Sequence, residues 1–253
     1  MKIPVKVFLT LSICVLLLGN AALADWNPGD DHKMHFPQLP DPFGWDVSAD
    51  QWRESVVADD WLCTATGGVR DIHIWGSWQR DIDVSIQAVH VSIHSDIPGG
   101  QAGGPLFSMP GQLLWERDFD TAQISVRDAG QGDQGFLIPQ DPTGGGILPD
   151  DHAFFHQINI DHIADPFLQE EGTIYWLDIQ VIHETPNAWW GWKTSQDHWN
   201  DNAVFWNAGE WLPLVDPRNQ EQLDMAFVIT PEPTTMILLA AGLPLLLKRK
   251  RKS

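Results

Sequence analysis

Six tryptophans fall within 23 residues, at Trp189, Trp190, Trp192, Trp199, Trp206 and Trp211. Exposed indole rings offer flat apolar faces on which pyranose C–H groups stack. Asp197, Asn200, Asp201 and Asn202 lie among them as partners for sugar hydroxyls. Trp189, Trp190, Trp192 and Trp199 are therefore the candidate carbohydrate-binding residues, with extracellular polysaccharide as the partner. The competing expectation, and the favoured one, is that these rings fill a β-core, because one Trp buries nearly the apolar surface of two aliphatic side chains.

Acidic residues recur at Asp30-Asp31, Asp59-Asp60, Asp150-Asp151, Asp161 and Glu170-Glu171. Oxygen-rich loops suit Ca²⁺, which takes about six to eight ligands, but no EF-hand spacing is present. Most of these carboxylates are expected on solvated surface. No cofactor and no metal ligand is assigned, and one structural Ca²⁺ is left open without named residues. A polysaccharide-active enzyme would need two carboxylates facing each other at roughly 5 to 9.5 Å, and so many acids single out no pair. His32 and His35 form H-x-x-H, and His152 and His156 are four apart. The second pair leads into an expected strand, where such positions lie about 13 Å apart, too far to share a zinc ion. G-x-S-x-G, S-x-x-K and phosphate-loop motifs are all absent, so no catalytic residue is assigned.

The elements that must position these side chains read as strands. Val69–Trp78, Ile82–His94, Gln112–Phe119, Gln123–Arg127, Ala153–Asp161, Thr173–Glu184 and Leu223–Ile229 have strand composition. In Thr173–Glu184, Tyr175, Leu177, Ile179 and Val181 alternate with Trp176, Asp178 and Gln180, the pattern of a half-buried strand. In Ile82–His94 the apolar phase slips at Ala88-Val89, which predicts a bulge or a strand buried on both faces. Pro98–Gly100, Gly103–Pro105, Gly130–Gly135 and Pro142–Gly146 are expected to end regular structure. The fold class is therefore all-β: a single jelly-roll-like β-sandwich over 51–230, with long Gly/Pro-rich surface excursions at 25–50 and 97–111.

Both ends read as transport labels. Lys2 and Lys6, an apolar run over 7–18 and Ala22-Leu23-Ala24 form a secretory signal peptide over 1–24, with cleavage before Asp25. At the other end stand Pro231-Glu232-Pro233, an apolar segment over 234–247 and a basic tail over 248–252. The segment's 14 residues reach about 21 Å as a helix, so crossing a bilayer requires local thinning. The tail's five cations favour the cytoplasmic side. Seven of the 15 Lys+Arg and one of the 34 Asp+Glu lie in these ends, leaving residues 25–230 with a net charge of −25. Such a body is repelled by phosphate backbones and anionic lipid, which argues against nucleic acid as a partner. Only Cys63 remains in it, expected as a buried core residue, so packing must replace disulfides.

Pro231, Glu232 and Pro233 followed by a short hydrophobic segment and a basic terminus resemble the PEP-CTERM sorting signal. The resemblance implies export through the Sec translocon and the inner membrane, and recognition by an exosortase near Pro231–Pro233. It also implies transient or permanent membrane anchoring, and a place at the cell surface or in the biofilm matrix. The body is also similar to a family of uncharacterised exported bacterial proteins, through Ala58–Cys63, Asp71–Trp78, Ile174–Ile179, Gly191–Ser195 and Leu223–Ile229. That likeness implies a shared framework and no activity. The leading expectation is a non-enzymatic exported surface or matrix protein; a carbohydrate-binding module and a secreted polysaccharide-active enzyme are the alternatives.

Overall fold

The computed structural model describes residues 25–230, except 83, 142 and 144. The cleavage site at Ala22 and Ala24, and everything expected of 231–253, lie outside the described residues. Among the described residues, no helix is long and apolar enough to cross a membrane.

The chain is all-β. Its strands are β1 (Trp45–Ser48), β2 (Val57–Leu62), β3 (Gly67–Val69), β4 (Asp71–Trp78), β5 (Ala88–Ile97), β6 (Met109–Asp120) and β7 (Ile124–Leu137). There follow β8 (Ile147–Ile160), β9 (Phe167–Gln169), β10 (Ile174–Ile182), β11 (Trp190–Lys193), β12 (Val204–Asn207), β13 (Glu210–Pro213) and β14 (Phe227–Thr230). One six-stranded sheet has the order β11-β1-β7-β8-β4-β14, and β11 pairs with β4 as well, so this ladder closes on itself. The other runs β13-β12-β2-β10-β5-β6, and β3 pairs with β9. Among these strands pairing is antiparallel except between β1 and β7, and just past β1 an isolated parallel bridge joins Asp50 to Val181.

Alternation explains which side chains meet. Val57 and Trp61 of β2, Val89, Val91 and Ile93 of β5, and Tyr175, Leu177, Ile179 and Val181 of β10 point one way, as period two requires. They join Trp45 and Val47 of β1, Ile72 and Ile74 of β4, Ile158 and Ile160 of β8, and Trp190 and Trp192 of β11 in one buried cluster. Both large sheets thus contribute to a single core. Cys63 is buried at its margin as a free thiol.

Several expectations need correction. β10 is not half-buried, since Trp176 and Asp178 on its other face are 0% and 6% exposed. Ala58, Trp176 and Val204 form a second small cluster there, with Phe107 and Trp211 against it. The phase slip at Ala88-Val89 marks the start of β5, and the register irregularities fall later, around His94. The glycine-rich 130–135 stretch does not end regular structure; β7 runs through it with shifted register. A Cβ at Gly130 would lie 2.6 Å from the Phe155 ring on the neighbouring strand, so only glycine lets the two strands pair here. Nor is 25–50 a surface excursion. Met34, Trp45 and Val47 are buried, and β1 lies between β11 and β7. The folded body therefore extends well upstream of residue 51.

Candidate functional site

The six-tryptophan stretch is dispersed by the fold. Trp190 and Trp192 point into the core from β11, at 1% and 0% exposure, and Trp192 Nε1 donates to the Ala226 carbonyl at 2.8 Å. Neither offers a face to a sugar, which corrects their candidacy as carbohydrate-binding residues. Trp189 is half-buried, with the Arg53 guanidinium 3.4 Å over its ring. Trp199 is half-buried beneath His35, with ring centroids 4.2 Å apart. Trp206 is 40% exposed and edge-on to Trp211 at 5.2 Å. The stretch divides between core and surface and forms no continuous platform of the four named rings.

The larger correction concerns the acids. Asp59 and Asp60 of β2 are 0% and 1% exposed, although they were expected on the surface. As neighbours on a strand they point to opposite faces. Asp59 Oδ1 accepts from the Asp60 N–H at 2.9 Å, and its Oδ2 accepts from Gln38 Nε2 and the Met225 N–H, each at 2.7 Å. Asp60 Oδ2 accepts from Asn200 Nδ2 at 2.6 Å. Asp224, also buried, accepts from the Trp199 N–H at 2.7 Å, with His198 Nδ1 at 3.5 Å. Asp60 Oδ1 and Asp224 Oδ1 are buried without hydrogen-bond partners.

This nest is electrostatically strained. Burial, then Asp224 and Asp60, push the Asp59 carboxyl well above the usual carboxylate range. Burial does the same to Asp60, helped by Asp224, Asp96 and Asp201 and opposed by the Asn200 hydrogen bond. The hydrogen bonds from the Trp199 N–H to Asp224 and from Asn200 Nδ2 to Asp60 hold the segment around Trp199 and Asn200 against these carboxyl groups. Burial, with His32, lowers His35 to about 3, so the ring on Trp199 is neutral, and its Nδ1 accepts from the Leu62 N–H at 3.3 Å. Among the described residues, no group of three or more His, Cys, Asp and Glu side chains is placed to hold a metal ion.

Open space lies elsewhere. A groove of about 400 Å³ is lined by Trp26, Trp75 and Phe155, with Asn27, Arg127 and Gln196 at its polar margin. Trp26 meets Trp75 edge-on at 6.0 Å. Arg127 of β7 fixes this wall, donating from Nη2 to the Trp26 carbonyl at 2.6 Å and to Asn27 Oδ1 at 3.1 Å. Spacing along the chain does not reveal this groove, because its aromatic residues lie up to 129 positions apart and converge only through the pairing of β4, β7 and β8 and the hold of Arg127 on Trp26.

A third constellation is wholly internal. Asp46 of β1 receives Lys193 Nζ and His152 Nε2 on the same Oδ2, each at 2.9 Å, and none of the three side chains is exposed. Burial alone would raise the Asp46 pKa, but the Lys193 charge and the His152 hydrogen bond hold it below its ordinary value. For His152, the hydrogen bond and charge of Asp46 outweigh burial and raise the pKa. The pair His152 and His156 lies along β8, as expected, and His156 faces Asp128 at 3.4 Å.

A family model described as a domain of unknown function, DUF7901, matches residues 34–230. The chain belongs to this family. A search of curated proteins found no match to it. The DUF7901 region contains the whole Asp59–Asp60–Asp224 nest, including Gln38, and all of the Asp46–His152–Lys193 network. The groove, by contrast, takes Trp26 and Asn27 from outside it.

Proposed function

We propose that this chain is an exported surface or matrix protein built on a single jelly-roll-like β-sandwich. The signal peptide over 1–24 takes it through the Sec route, and an exosortase handles it at Pro231–Glu232–Pro233 while the segment over 234–247 holds it in the membrane. The observation that carries this reading is the order of terminal features: n-region, short apolar run and Ala-x-Ala in front, then Pro-Glu-Pro, apolar run and cations behind. The acidic body supports it, since a net charge of −25 keeps the exported domain off anionic headgroups. The test is terminal mapping by mass spectrometry after expression in a host that carries the sorting enzyme. Asp25 should be the first residue, and the chain should be cut near Pro231–Pro233. Recovery of an intact 231–253 from that host would overturn the processing step.

A second reading is favoured by the groove: contact with a neutral glycan. Asn27, Arg127 and Gln196 supply donors and acceptors at its margin, and the edges of Trp26, Trp75 and Phe155, 3 to 4% exposed, form its apolar floor. The body's negative charge disfavours acidic polysaccharides, so neutral ones are the ligands to try. Titrating intrinsic tryptophan fluorescence with neutral exopolysaccharides should give a saturable change that Trp75→Ala abolishes. Silence across the panel would remove this reading and leave the first intact.

A further inference from the structure

Asp46 and Lys193 are directly opposed residues of the antiparallel β1–β11 pair. Nζ lies 2.9 Å from Oδ2, and neither side chain has any exposed surface. His152 reaches the same Oδ2 from β8 and is itself backed by Asp151 at 3.2 Å. The Phe155 ring lies 5.5 Å from Nζ, the Phe136 ring lies 6.2 Å from His152, and Asp46 Oδ1 has no hydrogen-bond partner. An amine, a carboxyl group and a proton carrier thus meet in a water-excluded space, all on paired strands. A simple ion pair there keeps two desolvated charges, whose mutual attraction must offset the hydration both have lost.

We propose that Lys193 and Asp46 condense to an intramolecular isopeptide bond, with His152 moving the proton. A proton shifts along the Nζ–H···Oδ2 hydrogen bond and leaves a neutral amine beside a neutral carboxylic acid. The Nζ lone pair bonds to Cγ, the Cγ–Oδ2 bond breaks, and Oδ2 departs as water. That water carries the shifted proton and a second one from Nζ, relayed through His152 Nε2. No oxidant or other reactant enters. The ladder holds the two groups in register, so the step is intramolecular and gains from that proximity. Both charges disappear into one neutral amide, and the packed rings exclude the water that would reverse the reaction. The bond ties β1 to β11 across 147 residues, in a body whose single thiol cannot form an internal disulfide.

The decisive measurement is the intact mass of the purified, folded full-length protein. It should be lighter than its sequence by one water. A tryptic digest should lack cleavage after Lys193 and yield a branched peptide joining the Asp46 and Lys193 segments. Lys193→Arg and Asp46→Ala should both return the full mass. His152→Gln should slow the loss of water at least tenfold during refolding of the denatured, freshly synthesised chain. Because the first readout uses the wild type, a variant that fails to fold does not obscure it. Full mass together with cleavage after Lys193 in the folded wild type would overturn the proposal. So would a water loss mapped to any other pair, and an unchanged rate in His152→Gln would overturn the role given to that residue.

Discussion

The His35 imidazole lies nearly flat on the Trp199 indole, its plane inclined by 22°. This contact joins the segment before β1 to the loop that supplies Trp199 N–H to Asp224 and Asn200 Nδ2 to Asp60. A residue from near the start of the body therefore braces the cover of a buried acid nest formed by β2 and by Asp224 near its end.

Truncating the brace should be costly. Trp199→Ala removes the stack and loosens the loop over the carboxylates, and is expected to lower stability by about 2 kcal/mol. Urea unfolding followed by far-UV circular dichroism measures it. A shift in midpoint without a change in slope is the expected form.

His35 makes the brace sensitive to acid. Its folded pKa is lowered to about 3 from 6.5. Below pH 6.5 the unfolded chain takes up a proton that the folded one refuses, so stability is lost as pH falls from there towards 3. His35→Phe keeps a ring on Trp199 and removes this titration. Relative to the wild type, the variant should gain about 1 kcal/mol on going from pH 8 to pH 5, a figure discounted for partial solvent screening. Paired urea titrations at the two pH values provide the check.

Asp161 should act in the opposite direction. Both its carboxylate oxygens are buried without hydrogen-bond partners. Burial, then Asp71 and Asp25, raise its pKa from 3.8 to about 6 against the pull of His162. The folded state holds the proton more tightly than the unfolded one, so this group's contribution is lost as pH rises from 3.8 through 6. Asp161→Asn should raise Tm by about 2–4 °C at pH 8 and leave it nearly unchanged at pH 4. Differential scanning calorimetry at both pH values tests the sign.

Gly76 is a position where no side chain fits. A Cβ there would run into the Trp190 ring and the Gly191 carbonyl, where β4 and β11 pair. Gly76→Ala is expected to cost about 3 kcal/mol, through overpacking against backbone and a buried ring. Chemical denaturation, or loss of soluble expression, reports it.

What the sequence reveals follows from what alternation can encode. Tyr175, Leu177, Ile179 and Val181 announce β10 because period two has one common cause, a face turned to the core. β2 is hidden by Asp59 and Asp60, which read as solvated surface until Gln38, Asn200 and the Met225 N–H are seen to bond them inside the fold. β7 is hidden by glycines that serve close approach and bulges. Burial of Trp190 and Trp192 against exposure of Trp206 depends on which strand pairs with which, and residue type alone does not carry that. The acid nest and the groove both assemble from distant segments, so spacing along the chain leaves them unannounced.

The β1–β7–β8–β4–β11 ring has a consequence for the order of events. β1 waits for a partner almost 150 positions downstream, and β14 at the far end must still dock on β4. Bringing such remote pieces together delays folding. A polypeptide with this wiring stays unlocked while it is being made, and stiffens only once β11 and β14 are both available to pair.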